Sequence, residues 1–318
     1  MTDLDLAVHV EDLRMRYGAM DVLRGVTFDI RSGEVLALLG PNGAGKTTTI
    51  EILEGFRMRS GGAVEVLGVD PARGDERWRA RVGIVLQSWR DHAKWRVGEL
   101  LEHQGSFYRP YATDAVPRPW PVADLLEAVG LADRRDVVVG RLSGGQRRRL
   151  DVAVGLVGRP ELLLLDEPTT GFDPQARHEF HQVIRAATAR VGTSVLLTTH
   201  DLAEAEQLAD RVAILADGVI VASGTPAELA RRFAGRDEVR WSEHGRSFRR
   251  EVDDAADFVR HLYARDGEAV RDLEVRRASL ETTYLALMRD AEARQAEARP
   301  AGLDHATARP RVGRSTAA

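Results

Sequence analysis

The 318-residue chain contains no cysteine, and only Lys46 and Lys94 among its 45 basic residues are lysine. Without cysteine it can form neither a disulfide bond nor a cysteine-ligated zinc site. No apolar run approaches the roughly 20 residues that a membrane-spanning helix needs, and the start, MTDLDLAVHV, lacks the features of a signal peptide. The net charge of −4 offers no basic surface for nucleic acid. These absences predict a soluble cytoplasmic protein that reaches a membrane only through a partner and binds no nucleic acid.

Lys46 lies in a glycine-rich segment with phosphate-binding spacing. Residues 40–47 read GPNGAGKT, which matches G-x-x-x-x-G-K-[ST], a loop whose backbone N–H groups close around phosphates. We expect Lys46 to reach the β- and γ-phosphates of a nucleotide and the Thr47 hydroxyl to bind Mg²⁺. The apolar run 35–39 precedes the loop as a buried strand would, and Ile50, Leu53 and Phe56 follow on one helical face. A glycine-rich turn without a ligand is the alternative. The predicted nucleotide contacts of this segment are Gly40, Pro41, Asn42, Gly43, Ala44, Gly45, Lys46, Thr47 and Thr48.

A second glycine-rich segment, LSGGQ at residues 142–146, begins another helical pattern. Free N–H groups and the positive end of the helix dipole would make this helix start a second phosphate site. Its candidate residues are Ser143, Gly144, Gly145 and Gln146. The next three residues are all arginine, and cations in the first turn oppose the helix dipole by about 0.3–1 kcal/mol each. This cost is understandable if the helix end faces a triphosphate, although arginines directed into water are the alternative.

Two carboxylates follow a strongly apolar run. Residues 161–167 read ELLLLDE, and the four leucines predict a strand that is buried on both faces and delivers Asp166 and Glu167 to the carboxyl edge of a sheet. One carboxylate can hold Mg²⁺ through water, and the next can deprotonate the water that attacks a γ-phosphate. We therefore assign Asp166 to the metal and Glu167 to the role of general base.

The two phosphate motifs, in this order, resemble those of the ATP-binding-cassette (ABC) ATPases. The resemblance implies an α/β fold of the P-loop NTPase type, with a RecA-like core, an antiparallel β subdomain and a helical subdomain at about residues 88–157. It implies ATP and Mg²⁺ as ligands, and a dimer in which the phosphate loop of one chain and the LSGGQ segment of the other enclose each nucleotide. Because one chain carries all the motifs, a homodimer is sufficient, although a heterodimer remains open.

The same resemblance assigns roles to residues outside the two phosphate motifs. His200, at the end of the apolar run 195–199, corresponds to a histidine that contacts the γ-phosphate and the catalytic carboxylate. Tyr17 corresponds to the aromatic residue that stacks on adenine, and Gln87 to a glutamine that contacts Mg²⁺ or the attacking water. Asp173 matches a loop that carries signals between the two nucleotide sites. Without these motifs, Tyr17 would be read as packing and Gln87 as a solvated strand end. The predicted catalytic residues are Lys46, Gln87, Glu167 and His200.

The order of patterns predicts a cassette at residues 1–228, an accessory α+β domain at 229–290 and a disordered tail at 291–318. Residues 238–290 resemble the drug-resistance branch of ABC exporters, which includes daunorubicin-type ATPases. This implies a subunit that powers a membrane permease from the cytoplasmic face of the membrane. Trp89 and Trp95 are the candidate contact with that permease, or else they fill a join between subdomains. A stand-alone regulatory ATPase and an importer subunit are the alternative functions.

Overall fold

The computed structural model describes residues 5–85, 92–172, 174–233, 237–267 and 269–276, together with 280, 281, 283–285 and 287–289. The strands are β1 (Leu6–Tyr17), β2 (Met20–Arg31), β3 (Val35–Leu39), β4 (Gly61–Val66), β5 (Val82–Val85), β6 (Leu162–Asp166), β7 (Ser194–Thr199), β8 (Arg211–Ala216), β9 (Val219–Gly224), β10 (Asp237–Glu243), β11 (Arg246–Val252) and β12 (Val270–Arg276). The α-helices are α1 (Lys46–Leu53), α2 (Glu76–Arg79), α3 (Val97–Ser106), α4 (Val122–Ala128), α5 (Gly144–Leu156), α6 (Pro174–Val191), α7 (Leu202–Leu208), α8 (Pro226–Phe233) and α9 (Ala255–Asp266). No helix in the described ranges is both long and apolar enough to cross a bilayer.

The central sheet has the strand order β5-β6-β7-β3-β8-β9, and its strands are parallel except for β9, which runs antiparallel to β8. Strands β3, β6 and β7 are buried along their whole length, because both faces of such a sheet are covered and no polar face is left. Leu39 pairs with Thr199, and Asp166 pairs with Thr198. The carboxyl ends of three neighbouring strands therefore meet at one edge, as predicted for a P-loop α/β core.

A separate three-stranded antiparallel sheet, in the order β2-β1-β4, lies against one face of the central sheet. Val10 and Val26 of this sheet share a core with Leu38 and Leu164 of the central strands. Gly25 lies inside β2 at a point where the register of β1 and β2 shifts. Such a shift is typical of a β-bulge, in which one extra residue bends a strand without ending it.

The predicted helical region contains α3, α4 and α5, and its residues 88–91 lie outside the described part of the chain. Leu100, Leu125 and Leu150 of these helices share a core with Leu163 and Leu165 of β6. Since alternate residues of a strand point to opposite faces, β6 contributes to one core on each side of the sheet. Glu167 thus follows a strand that is fixed from both faces.

The C-terminal region forms a sheet in the order β11-β10-β12, with α9 packed against it around Val239 and Trp241. The described residues between 280 and 289 are helical, and Leu280 and Leu287 belong to the same core as Leu229 of α8. The boundary that we predict between residues 228 and 229 therefore falls inside α8, whose buried Leu229 shares a core with Leu208 and Val212 of the cassette. The predicted tail, residues 291–318, lies outside the described residues.

Candidate nucleotide site

The glycine-rich loop connects β3 to α1. Gly43 and Gly45 have φ angles of 83° and 108°, and a Cβ on Gly45 would lie 2.5 Å from Leu23 Cδ2. Backbone turns of this kind bring successive N–H groups together as a concave anion site. Residues 41–43 and Thr47 are exposed, whereas Gly40, Ala44, Gly45 and Lys46 are buried. The loop is therefore anchored at its base and open along its rim, which suits a bound phosphate chain.

Lys46 is held at the base of this loop. Only 4% of the residue is exposed, and its Nζ donates hydrogen bonds to Gly40 O at 2.8 Å and Pro41 O at 3.2 Å. The same nitrogen lies 3.1 Å from Glu167 Oε1. The ammonium group thus links the phosphate loop to the acidic end of β6.

Thr47 and Asp166 are joined by a direct hydrogen bond. The Thr47 hydroxyl donates to Asp166 Oδ2 at 3.0 Å, and the Thr198 hydroxyl donates to Asp166 Oδ1 at 2.6 Å. A hydroxyl and a carboxylate beside a phosphate loop form the hard oxygen donor set that Mg²⁺ prefers, usually with waters and substrate phosphates completing its shell. Thr47 and Asp166 therefore fit the predicted metal ligands, and together they would hold Mg²⁺.

Glu167 has the side-chain contacts of a positioned base. His200 Nδ1 lies 3.4 Å from Glu167 Oε2, and the Thr170 hydroxyl donates to the same oxygen at 3.2 Å. Burial works to raise the pKa of Glu167, but the hydrogen bond and charge of Lys46, together with His200 and Thr170, outweigh it and hold that pKa below its ordinary value. The carboxylate is therefore ionised at neutral pH, which is the form that a general base requires.

The LSGGQ segment forms the start of α5 with a reciprocal capping arrangement. Gln146 N donates to Ser143 Oγ at 3.3 Å, and Ser143 N donates to Gln146 Oε1 at 3.1 Å. Ser143 and Gly144 are exposed. The segment is therefore a second exposed helix start in addition to the phosphate loop.

The three arginines that follow have partners within the chain, so a triphosphate is not needed to explain them. Arg147 pairs with Asp151, Arg149 pairs with Glu179, and Arg148 is buried with its Nε donating to Pro168 O at 2.7 Å. Burial and ion pairs within the chain thus account for these cations, because each one finds an acceptor on α5, α6 or the loop after β6.

The remaining predicted residues divide into two groups. Tyr17 is 37% exposed at the end of β1, and the guanidinium carbon of Arg57 lies 5.1 Å from the centre of its ring. This leaves part of an aromatic face available for stacking. Gln87 and Asp173 lie outside the described residues, so their predicted roles stay predictions.

Thr198 is a site residue that the sequence reasoning missed. Its hydroxyl donates to Asp166 and also accepts from Glu167 N at 3.0 Å. The signal was available, since Thr198 and Thr199 are polar residues at the end of an otherwise apolar buried strand. A fully buried hydroxyl needs a partner, and the neighbouring strand end supplies two.

Comparison with known proteins agrees with this geometry. A family model described as ABC transporter matches residues 23–170. Nod factor export ATP-binding protein I of Ralstonia nicotianae is 42% identical over 231 residues, which make up 72% of this chain and 70% of that protein. The chain belongs to the ATP-binding subunits of ABC transporters.

Solved structures support the same assignment. An ATP-binding subunit of an ABC transporter, 30% identical, matches with a TM-score of 0.60 over 71% of this chain and 92% of that one. CbiO1 from Clostridium perfringens, described as part of the ABC transporter complex cbiONQ, is 27% identical, with a TM-score of 0.61 over 72% of this chain and 92% of that one. The P-loop fold expected from the sequence is confirmed, and the chain is an ABC ATPase.

Proposed function

We propose that two chains associate head to tail and hydrolyse Mg-ATP between the phosphate loop of one chain and the LSGGQ segment of the other. The observation that carries this proposal is the pair Gly144 and Gly145. Neither has a positive φ, and apart from their chain neighbours and the nearby backbone of α5 itself, no heavy atom lies within 4 Å of the position that a Cβ would take. Glycine destabilises a helix by up to about 1 kcal/mol relative to alanine. Nothing in the described chain requires glycine here, whereas close approach by a nucleotide on another chain does.

The contacts of the site support a division of chemical roles. Lys46 supplies a fixed positive charge for the β- and γ-phosphates, and Glu167 accepts the proton of the attacking water. His200 contacts the Glu167 carboxylate from an exposed position, where a γ-phosphate can reach it. Thr47 and Asp166 would hold Mg²⁺, which neutralises charge on the phosphate oxygens when bound. Catalysis then rests on positioning and charge stabilisation by these side chains.

We further propose that hydrolysis powers export, with the chain bound to a permease at the cytoplasmic face of the membrane. The similarity to ATP-binding proteins named for Nod factor export supports the direction of transport. The resemblance of the C-terminal region to the drug-resistance branch of exporters supports the same direction. Neither identifies the cargo, because recognition of the cargo belongs to the permease.

A cavity of about 740 Å³ next to Thr47 and Asp166 suits contact with the permease. Phe56, predicted on the apolar face of α1, instead follows the end of that helix and is 77% exposed at the rim of this cavity, where Ile84 is also exposed. Glu51 and Glu54 line the cavity as well. Exposed apolar side chains beside carboxylates favour an amphipathic partner segment with basic residues. Trp95, by contrast, is half-buried and packs against His92 and His103, which favours a packing role for it.

A mixing experiment tests the composite site. Lys46→Ala disables the phosphate loop, and Ser143→Arg blocks the LSGGQ segment, so neither variant alone should hydrolyse ATP. An equal mixture should regain part of the activity, because one of the two sites in each mixed dimer combines an intact loop with an intact segment. Normal hydrolysis by either variant alone, or no recovery in the mixture although mixed dimers form, would contradict the proposal.

Recovery of the permease from detergent-solubilised membranes tests the docking surface. Phe56→Ala should weaken co-purification while leaving basal hydrolysis intact. Phe107→Ala is the matched control, since Phe107 is also exposed but does not line the cavity. Equal recovery with both variants would exclude the cavity as the contact.

A further inference from the structure

Glu167 has a backbone conformation that needs external support. Its φ is 43°, in the left-handed region that residues with a side chain rarely adopt. On its amino side, Glu167 N is within hydrogen-bonding distance of both Thr198 Oγ1, at 3.0 Å, and Thr198 O, at 3.2 Å. A backbone held in an unfavourable region persists only where its surroundings over-determine it. The carboxyl side of Glu167, the turn at residues 167–170, must therefore be held as well.

Arg148 of α5 holds the Pro168–Thr169 peptide of this turn. It is 7% exposed, and its Nε donates to Pro168 O at 2.7 Å. Its Nη1 lies 3.6 Å from Asp151 Oδ2 on the same helix. The ion pair fixes the guanidinium group, and the guanidinium group in turn fixes the carbonyl of Pro168, the residue after Glu167.

Glu204 of α7 holds the next residue of the turn. It is 1% exposed, and its Oε1 accepts a hydrogen bond from the Thr169 hydroxyl at 2.9 Å. His181 of α6 is also buried and places Nε2 at 3.4 Å from the same oxygen. A buried carboxylate is costly unless it is hydrogen-bonded, so this cluster is strongly constrained. It ties the turn to the helix that begins directly after His200 and Asp201.

We infer that Arg148 and Glu204 are positioning residues that set the location of the Glu167 carboxylate by holding the 167–170 turn from two helices. The inference rests on the proposed role of Glu167 as the general base. Arg148 acts on Glu167 through Pro168, and Glu204 acts on it through Thr169. Loss of either contact should lower the rate of the chemical step and leave ATP binding by the phosphate loop unchanged.

Thr169→Val is the sharpest test, because it removes the hydroxyl while nearly preserving volume. Single-turnover hydrolysis should fall by about tenfold or more, since misplacement of a catalytic group by 1 Å can cost about 10²-fold. The dissociation constant for Mg-ATP should stay within about twofold. Thr169→Ser restores the hydroxyl and should recover most of the rate. Thr188→Val is the matched control, as Thr188 is equally buried and its hydroxyl bonds Ile184 O within α6.

Arg148→Lys provides an independent second variant, because lysine cannot reproduce both the Pro168 and the Asp151 contacts. It should also lower the hydrolysis rate without weakening ATP binding. Wild-type rates in both variants would overturn the inference, as would equal losses in Thr169→Val and Thr188→Val. Glu167→Gln, measured alongside, separates the two proposals. If it hydrolyses ATP normally, the base assignment fails; if it is inactive while Thr169→Val and Arg148→Lys are fully active, only the positioning role fails.

Discussion

Gly145 is a residue at which stability and activity should respond in opposite directions. In Gly145→Ala the new Cβ meets no heavy atom within 4 Å in the described chain other than its chain neighbours and the nearby backbone of α5. Alanine is favoured over glycine in a helix by up to about 1 kcal/mol. We therefore expect the free energy of unfolding to stay the same or to rise by up to about 1 kcal/mol, equivalent to an increase in Tm of at most about 2–4 °C.

The same methyl group should reduce ATP hydrolysis if a nucleotide on the partner chain approaches the helix start closely. Overpacking of a tight contact typically costs about 1–3 kcal/mol. That cost lowers the population of the closed, ATP-bound dimer by roughly 5- to 150-fold. The assay is steady-state hydrolysis at a fixed protein concentration, together with size-exclusion chromatography of Glu167→Gln with and without the Gly145 substitution in the presence of Mg-ATP.

Gly155→Ala is the matched control on the same helix. A Cβ there would lie 2.7 Å from Val85 Cγ2 and 3.2 Å from Leu163 Cδ1, so this variant should lose about 1 kcal/mol of stability or more. If Gly145→Ala is destabilised to the same extent, the reason for this glycine lies inside the chain. If it is stable and fully active, no close approach occurs at the helix start, and the main support for the composite site is lost.

Three further expectations concern single side chains. Glu167→Gln should bind Mg-ATP but not turn it over, and near-normal hydrolysis would exclude Glu167 as the base. Burial, with the charges of Glu51 and Asp166, raises the pKa of Glu54 to about 7, so the folded chain binds more protons than the unfolded chain between its ordinary pKa and 7. Stability should therefore fall as the pH rises through that window, and denaturant unfolding at several pH values should show a weaker dependence for Glu54→Gln. Leu280→Ala, at a fully buried side chain, should cost about 2–4 kcal/mol of unfolding free energy, whereas Leu285→Ala, at a side chain 49% exposed, should change it by less than about 0.5 kcal/mol.

The sheet edge that carries the site was predictable because the sequence allows few alternative positions for its strands. The runs 35–39, 162–165 and 195–197 are apolar on both faces, which is typical of central strands. Each run is followed closely by residues with recognisable chemistry. The structure brings Lys46, Asp166, Glu167 and His200 into one contact network. Parallel strands guarantee this arrangement, because their carboxyl ends lie at the same edge of the sheet.

The burial of Arg148 shows where local reasoning about charge fails. Positions 148, 152 and 156 recur at the spacing of one helical face, and the structure buries all three. Read by periodicity, Arg148 belongs to the buried face together with Val152 and Leu156. Read by charge alone, it belongs to the surface or to a ligand. The partner that decides between these readings is Pro168 O, twenty residues away, which no local pattern identifies.

The end of α1 illustrates a second limit. Periodicity alone places Phe56 on the same helical face as Ile50 and Leu53. The helix ends at Leu53, however, and Phe56 is exposed whereas Ile50 and Leu53 are buried. Helix ends are set by the backbone as much as by apolar spacing, and Gly55 with its φ of 75° lies between the helix and Phe56. The turn at Gly55 therefore directs Phe56 away from the buried face of α1 and exposes it at the cavity proposed for contact with the permease.

The proposed composite nucleotide site and the proposed positioning of Glu167 both depend on α5. Ser143 and its neighbours at the start of this helix would serve the nucleotide bound to the partner chain, whereas Arg148, five residues further, holds the turn that carries Glu167 of its own chain. Five residues correspond to about 7.5 Å of helix rise, and both positions belong to the continuous helix α5 or its cap. Closure of the partner's nucleotide onto the helix start would therefore be transmitted to Pro168 and from there to Glu167. In the proposed dimer this would connect each site to the other through one buried arginine.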